Sequence, residues 1–140
     1  MTDLTHAERA ARYLGAAALL GVGVDHLQQY FGAYYSVIPT IGTLFVLNFA
    51  ASVVLAGALF LPIQRAGRRG RQVLGCVAAM GIGVAVGSLA ALLVSEQAPL
   101  FGFMESGYRQ AIVVSIVLEI LASVLLGAFL IGNFRSSRAR

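Results

Sequence analysis

Residues 41–61, IGTLFVLNFAASVVLAGALFL, form an apolar block closed by Pro62. A helix rising about 1.5 Å per residue needs about 20 residues to cross a hydrocarbon core, so this block alone reads as one membrane span. Pro62 lacks the amide that a continuing helix needs and ends it. Working outward, three more blocks of similar length follow the same rule, at about 12–31, 73–94 and 109–134. The expected fold is all-α: one transmembrane domain over residues 1–140, a four-helix bundle that nearly fills the chain.

Composition agrees. Of 140 residues, 59% are hydrophobic and 11% charged, with no Trp and no Lys; an ordinary soluble domain carries about 25% charged residues. The mean hydropathy is +0.84. Disorder and a water-soluble catalytic domain are thereby excluded. Thr5-His6-Ala7-Glu8 fits a capping box that starts a helix near His6. No small-x-small cleavage site follows Val24, so the first span is expected to stay in place. The connection at 32–40 is aromatic, with Tyr34 and Tyr35 suited to the headgroup layer. Arg65, Arg68, Arg69 and Arg71 read as a tight, wet, cationic loop. Residues 95–99 break the third span, and 100–107 are too few to cross, so they are expected at the surface or in a shallow re-entrant turn.

Arginine positions predict orientation, because basic loops stay cytoplasmic. Arg9 and Arg12 precede span one, four arginines separate spans two and three, and Arg135, Arg138 and Arg140 follow span four; only Arg109 falls on the other side. Both termini are therefore expected in the cytoplasm, with the aromatic loops outside. The net charge of +4 then reflects orientation and attraction to anionic lipid, and nucleic acid is not an expected partner.

Helices in lipid associate through small side chains that permit close approach. Gly75, Ala79, Gly83, Gly87 and Ala91 recur every four residues on span three. They read as a packing stripe, either within the chain or in a homo-oligomer or larger membrane complex.

Ionisable residues inside a span are functional candidates by default. Asp25 falls about 9 Å below Phe31, Asn48 about 10 Å into span two, and Glu119 about 15 Å past Arg109, near the midplane. Helical spacing puts Asp25 and Gln29 on one face with His26 on its flank, and Ser115, Glu119 and Ser123 on another. Glu119 is expected as the central carboxyl of an outward-facing pocket between spans one, two and four, with Asp25 and His26 at its mouth, Gln29 beside them, Asn48 orienting and Glu105 capping. Each has a structural alternative: Glu119 as a neutral acid hydrogen-bonded to a neighbouring helix, Asp25 and His26 as a satisfied interfacial pair, Asn48 as helix glue, Glu105 as a solvated loop acid. No metal site is expected, since Asp25 and His26 diverge by about 100° around a helix. Haem ligation would need His6 from the opposite side. No cofactor fingerprint is present, because the Gly-x-Gly pairs at 21–23 and 81–83 lie in apolar helices with no preceding strand. No catalytic residue is assigned: GxSxG, CxxC and HExxH are absent, and an enzyme would have to work through Asp25, His26 and Glu119 as acid and base.

His26-Leu27, the run Tyr35-x-x-Ile38-Pro39-Thr40-Ile41-Gly42-Thr43-Leu44-Phe45-x-Leu47-Asn48, and Phe101-Gly102-Phe103-x-Glu105 resemble a group of uncharacterised small four-span membrane proteins of high-GC Gram-positive bacteria. The resemblance spans most of the chain. It implies the four-span fold and the plasma membrane, and no reaction. The expected function is binding or passage of a small ligand, ion or proton at the polar pocket. The alternative is a non-catalytic accessory subunit that braces a larger membrane complex through the span-three stripe.

Overall fold

The computed structural model describes residues 4–138, with side chains through residue 136. The side chain of Arg138 and all of Arg140, counted above among the inner arginines, lie outside the described residues. Four long helices follow one another: α1 (His6–Gly32), α2 (Pro39–Phe60), α3 (Gly67–Gln97) and α4 (Gln110–Arg138), with short 3₁₀ turns at Tyr35–Val37 and Ile63–Ala66. The Thr5–Glu8 capping box forms, each side chain taking the other's backbone amide. Pro39 opens α2 at its first turn, where the missing amide costs nothing.

Helical backbone runs a few residues beyond the apolar blocks into exposed turns. Ser95, Glu96 and Gln97 extend α3. Arg68, Arg69 and Arg71 belong to the first turns of α3, so only Arg65 sits in the expected cationic loop.

The helices pack in cyclic order α1–α2–α3–α4, with α1 touching α4 and α2 most and α3 sitting diagonally opposite α1. Neighbours run antiparallel. One end gathers the start of α1, the end of α2, the start of α3 and the end of α4. There Arg12, fully buried, donates to Gln64 Oε1 at 2.7 Å and to the Leu61 carbonyl at 3.2 Å. Arg71, also buried, donates to Asn133 Oδ1 at 3.1 Å and lies 3.8 Å from Glu8. Arg71 was expected in a wet loop; instead both arginines cap carbonyls and tie the helix ends together. Burial pushes the Glu8 carboxyl up, but hydrogen bonds from the Thr5 backbone, Ser136 and the Thr5 side chain outweigh it. With Arg71, they hold it below the usual value.

The outer surface is apolar: Val54 is 69% exposed and Val124 63%, while Asp25, Gln29, Ser52, Ser115 and Glu119 are buried. That inversion suits hydrocarbon and would be costly in water. Helices α2, α3 and α4 are long and apolar enough to cross a membrane. Helix α1 is outside that set because Arg12 at one end and Asp25, His26, Gln28 and Gln29 at the other leave no window apolar enough.

Close approaches between helices use other glycines than the sequence stripe suggests. A Cβ on Gly23 would stand 2.8 Å from Ser52 Cβ and 3.3 Å from the Phe49 carbonyl of α2. One on Gly81 would stand 2.9 Å from Leu126 of α4. Of the stripe, Gly75 is buried against Asn133, Ala79 is exposed, and Gly83 and Gly87 have nothing within 4 Å of an added Cβ. Ala91 is half-buried. The face of α3 that packs within the chain is the one carrying Leu74, Ala78, Gly81 and Ala85; much of the four-residue stripe looks outward. Gly23→Val should destabilise the bundle by about 1–3 kcal/mol through overpacking, whereas Gly83→Val should fall within about 0.5 kcal/mol of the parent. Thermal or denaturant unfolding of the two variants in detergent checks the contrast.

Candidate functional site

At the other end of the bundle a cavity of about 240 Å³ opens among all four helices. Of the expected site residues, His26, Gln29, Asn48, Glu105 and Glu119 line it; Asp25 does not. The cavity is bordered by α3 as well as by α1, α2 and α4, so the expected three-helix pocket gains a fourth wall.

Glu119 projects from α4 and is 1% exposed, with Oε2 lacking any hydrogen-bond partner. Its hydrogen-bonding neighbour is Ser88 of α3. The Ser88 hydroxyl lies 2.9 Å from His26 Nε2, and His26 Nδ1 lies 2.9 Å from the Val22 carbonyl. A carbonyl only accepts, so Nδ1 carries the proton in the neutral ring, Nε2 accepts, and the Ser88 proton points to His26. With its proton on His26, the Ser88 oxygen can only accept, and its hydrogen bond with Glu119 is then one that the acid form donates. His26, expected at the mouth, sits at this polar floor and packs on Phe45 with ring centroids 4.8 Å apart.

Asp25 lies behind the floor, near enough for its charge to bear on Glu119. Its Oδ2 accepts from Gln29 Nε2 at 2.7 Å. A carboxylate takes only donors, so the Gln29 amide must turn its NH₂ that way. The carbonyl Oε1 is left buried and without a partner. Asn48, half-buried, accepts from the Ser52 hydroxyl at 3.2 Å.

The roof is built from the two loops. Tyr35, expected in the headgroup layer, is buried, while Tyr34 is exposed in a left-handed conformation, φ 62°. The Tyr35 hydroxyl donates to Glu105 and accepts from Arg109 Nη2 at 2.7 Å. Arg109 also pairs with Glu105 Oε1 at 3.5 Å. The 100–107 segment is anchored: Leu100 and Phe103 exchange backbone hydrogen bonds across Phe101 and Gly102, both at positive φ, and the Glu105 amide donates to the Ser95 carbonyl at 3.0 Å. Tyr35 stacks on Phe45 at 4.6 Å and meets Phe103 edge-on at 5.5 Å.

Sequence reading missed Ser88, Ser95 and Tyr35 as cavity residues. Ser88 and Ser95, seven apart on α3, share a face, and that polar row was the available signal. Among the described residues no three of His, Cys, Asp and Glu gather closely enough to hold a metal ion. Comparison with known families, curated proteins and solved structures finds no match to this chain.

Burial, then the hydrogen bond and charge of Glu105, push the Tyr35 phenol above its ordinary value of 10.0 against the pull of Arg109. A group whose value is raised on folding contributes stability that is present below its unfolded value and lost as pH rises through the folded one. The roof should therefore stay closed through neutral and mildly alkaline pH. Spectrophotometric titration of the phenols should show Tyr35 ionising last, after Tyr108, which its hydrogen bond to Glu96 also raises, and Tyr35→Phe should remove that last step alone.

Proposed function

We propose that this chain is a four-span protein of the bacterial plasma membrane, both termini cytoplasmic, that binds or passes a small ligand, ion or proton through the cavity under Tyr35. The observation that carries this reading is the pair of buried, unpartnered oxygens, Glu119 Oε2 and Gln29 Oε1, in a cavity with room for an occupant. Leaving a buried acceptor unsatisfied costs about 1–3 kcal/mol. A bundle that keeps two of them beside empty space is arranged for something that donates.

The fourth span is supported by α1 itself. Its Asp25, His26 and Gln29 turn inward while Leu14, Leu20 and Val24 are exposed. Its charge is thus sheltered by α2 and α4, and an apolar surface is left for lipid. The orientation is supported by exposed Arg9, Arg65, Arg68, Arg69 and Arg135 at one end against Arg109 at the other. The cavity lies at the Arg109 end, which this orientation turns outward.

A second reading, an accessory subunit of a larger complex, is favoured by the open face at Ala79 and Gly83. A partner helix could approach closely there. Under it, Gly83→Leu disperses a complex seen on native gels of solubilised membranes, and Glu119→Gln leaves that complex intact.

Site-directed labelling separates the two. In a Cys76→Ala background, Asn48→Cys should react with a small membrane-impermeant thiol reagent added to the outer face of oriented proteoliposomes. Removing the roof with Tyr35→Ala should raise the rate. Reaction from the inner face alone, or none even without the roof, would overturn the outward cavity.

A further inference from the structure

The cavity's floor and walls together narrow the class of molecule it takes. At the floor, neither Asp25 nor Glu119 has a cationic partner among the described residues, whose ion pairs are Arg71 with Glu8 and Arg109 with Glu105. In its neutral form, with the Nδ1 proton on the Val22 carbonyl, His26 supplies no charge. The floor offers acceptors, Glu119 Oε2 and Gln29 Oε1, that no donor of the chain meets. Phe45 brings an aromatic ring to within 4.8 Å of His26, and ring faces attract ammonium groups.

The walls above are apolar: Ile41, Leu44, Leu92 and Ile112, with Tyr35 and Phe103 at the top. An inorganic ion would leave that volume unfilled and those walls wet. The side of the cavity is also open. Helices α2 and α3 touch least of the four neighbouring pairs. Leu44 of α2 and Gly87 of α3 line the cavity yet are exposed, and nothing lies within 4 Å of a Cβ on Gly87. In a bundle surrounded by hydrocarbon, that slot faces lipid.

We propose that the occupant is a protonated amine on an apolar body, admitted from the bilayer between α2 and α3, with its N–H groups on Glu119 and Gln29 and its body along the Phe45, Tyr35 and Phe103 wall. This rests on the cavity reading above and names its ligand class. An unpaired carboxylate buried in low dielectric either meets a cation or holds a proton. Binding is then an exchange: the acid form of Glu119 and an ammonium give the carboxylate–ammonium pair and one released proton, with charge balanced on both sides. The titratable and charged groups facing the exchange are Asp25 and His26 from α1, Glu119 from α4, and Tyr35, Glu105 and Arg109 from the roof; α2 and α3 contribute none to the lining.

The test uses the full chain in lipid nanodiscs with 2-phenylethylamine and its near-isostere 2-phenylethanol. Calorimetry in two buffers of different ionisation enthalpy counts the protons. The amine should bind at least about tenfold more tightly than the alcohol, the effect of about one charge-assisted hydrogen bond, and release about one proton per molecule bound. Glu119→Gln should lose both the preference and the release. Glu119→Asp, which keeps the acid, should retain the release with weaker binding. Gly87→Leu, which fills the slot, should slow association in stopped-flow measurements. Equal binding of amine and alcohol, or amine binding with no proton released, overturns the ligand class and leaves the cavity standing. Binding of neither probe overturns the class as well, and the Asn48→Cys labelling then decides the cavity separately. An unchanged association rate in Gly87→Leu overturns the lateral route.

Discussion

Hydrocarbon offers no hydrogen bonds, so every polar atom in this bundle has to turn toward another part of the chain or toward something the chain encloses. The arrangement follows from that one constraint. Helix α1, which carries Asp25, His26 and Gln29 among its buried residues, is the helix most embraced, by α2 and α4. Arg12, apart from its Nε, and Arg71 satisfy themselves on carbonyls and amides at one end, and Tyr35, Glu105 and Arg109 on one another at the opposite end. Between the two sealed ends lies the part where satisfaction is incomplete. Gln29 is pulled toward Asp25 and leaves its carbonyl bare, and Ser88 is committed to His26 and leaves Glu119 short of a donor. Of the four buried, unpartnered side-chain atoms among the described residues, the oxygens of Gln29 and Glu119 belong to the cavity lining, while Arg12 Nε and Glu96 Oε1 lie outside it.

Much of the fold could be read from the chain because the membrane simplifies the rules. Apolar blocks of spanning length and the proline after Leu61 located the helices to within a few residues. The capping box located the start of α1. Tertiary choices stayed hidden. Arginines that a topology rule treats as wet can bury themselves when a carbonyl at a helix end lacks a partner, as Leu61 does for Arg12. The four-residue glycine repeat on α3 marks where close approach is feasible. Which of two faces is used depends on the bulk opposite, and Leu126 and Leu19 meet the Gly81 face instead.

The site was legible in its acids and amides. Glu119, His26, Gln29 and Asn48 share a cavity because their depths along antiparallel helices overlap, which counting at a fixed rise reveals. Asp25 shares the depth and not the cavity, because its carboxylate is turned to Gln29, one helical turn on. Pairs distant in sequence carried no local signal: nothing near Tyr35 announces Glu105, 70 residues away. Ser88 follows the same row pattern as the polar residues of the other spans and sits next to Gly87 of the glycine stripe.

The most direct measurement is an experimental density map of the protein in a lipid nanodisc, at a resolution that shows side chains and ordered waters. Density for an ordered occupant within hydrogen-bonding distance of Glu119 Oε2 and Gln29 Oε1, beneath a closed Tyr35–Glu105 roof, is the expected result. A collapsed, dry seam with those two oxygens bonded to other residues of the chain, or a Glu119 carboxyl turned out toward acyl tails, would contradict it.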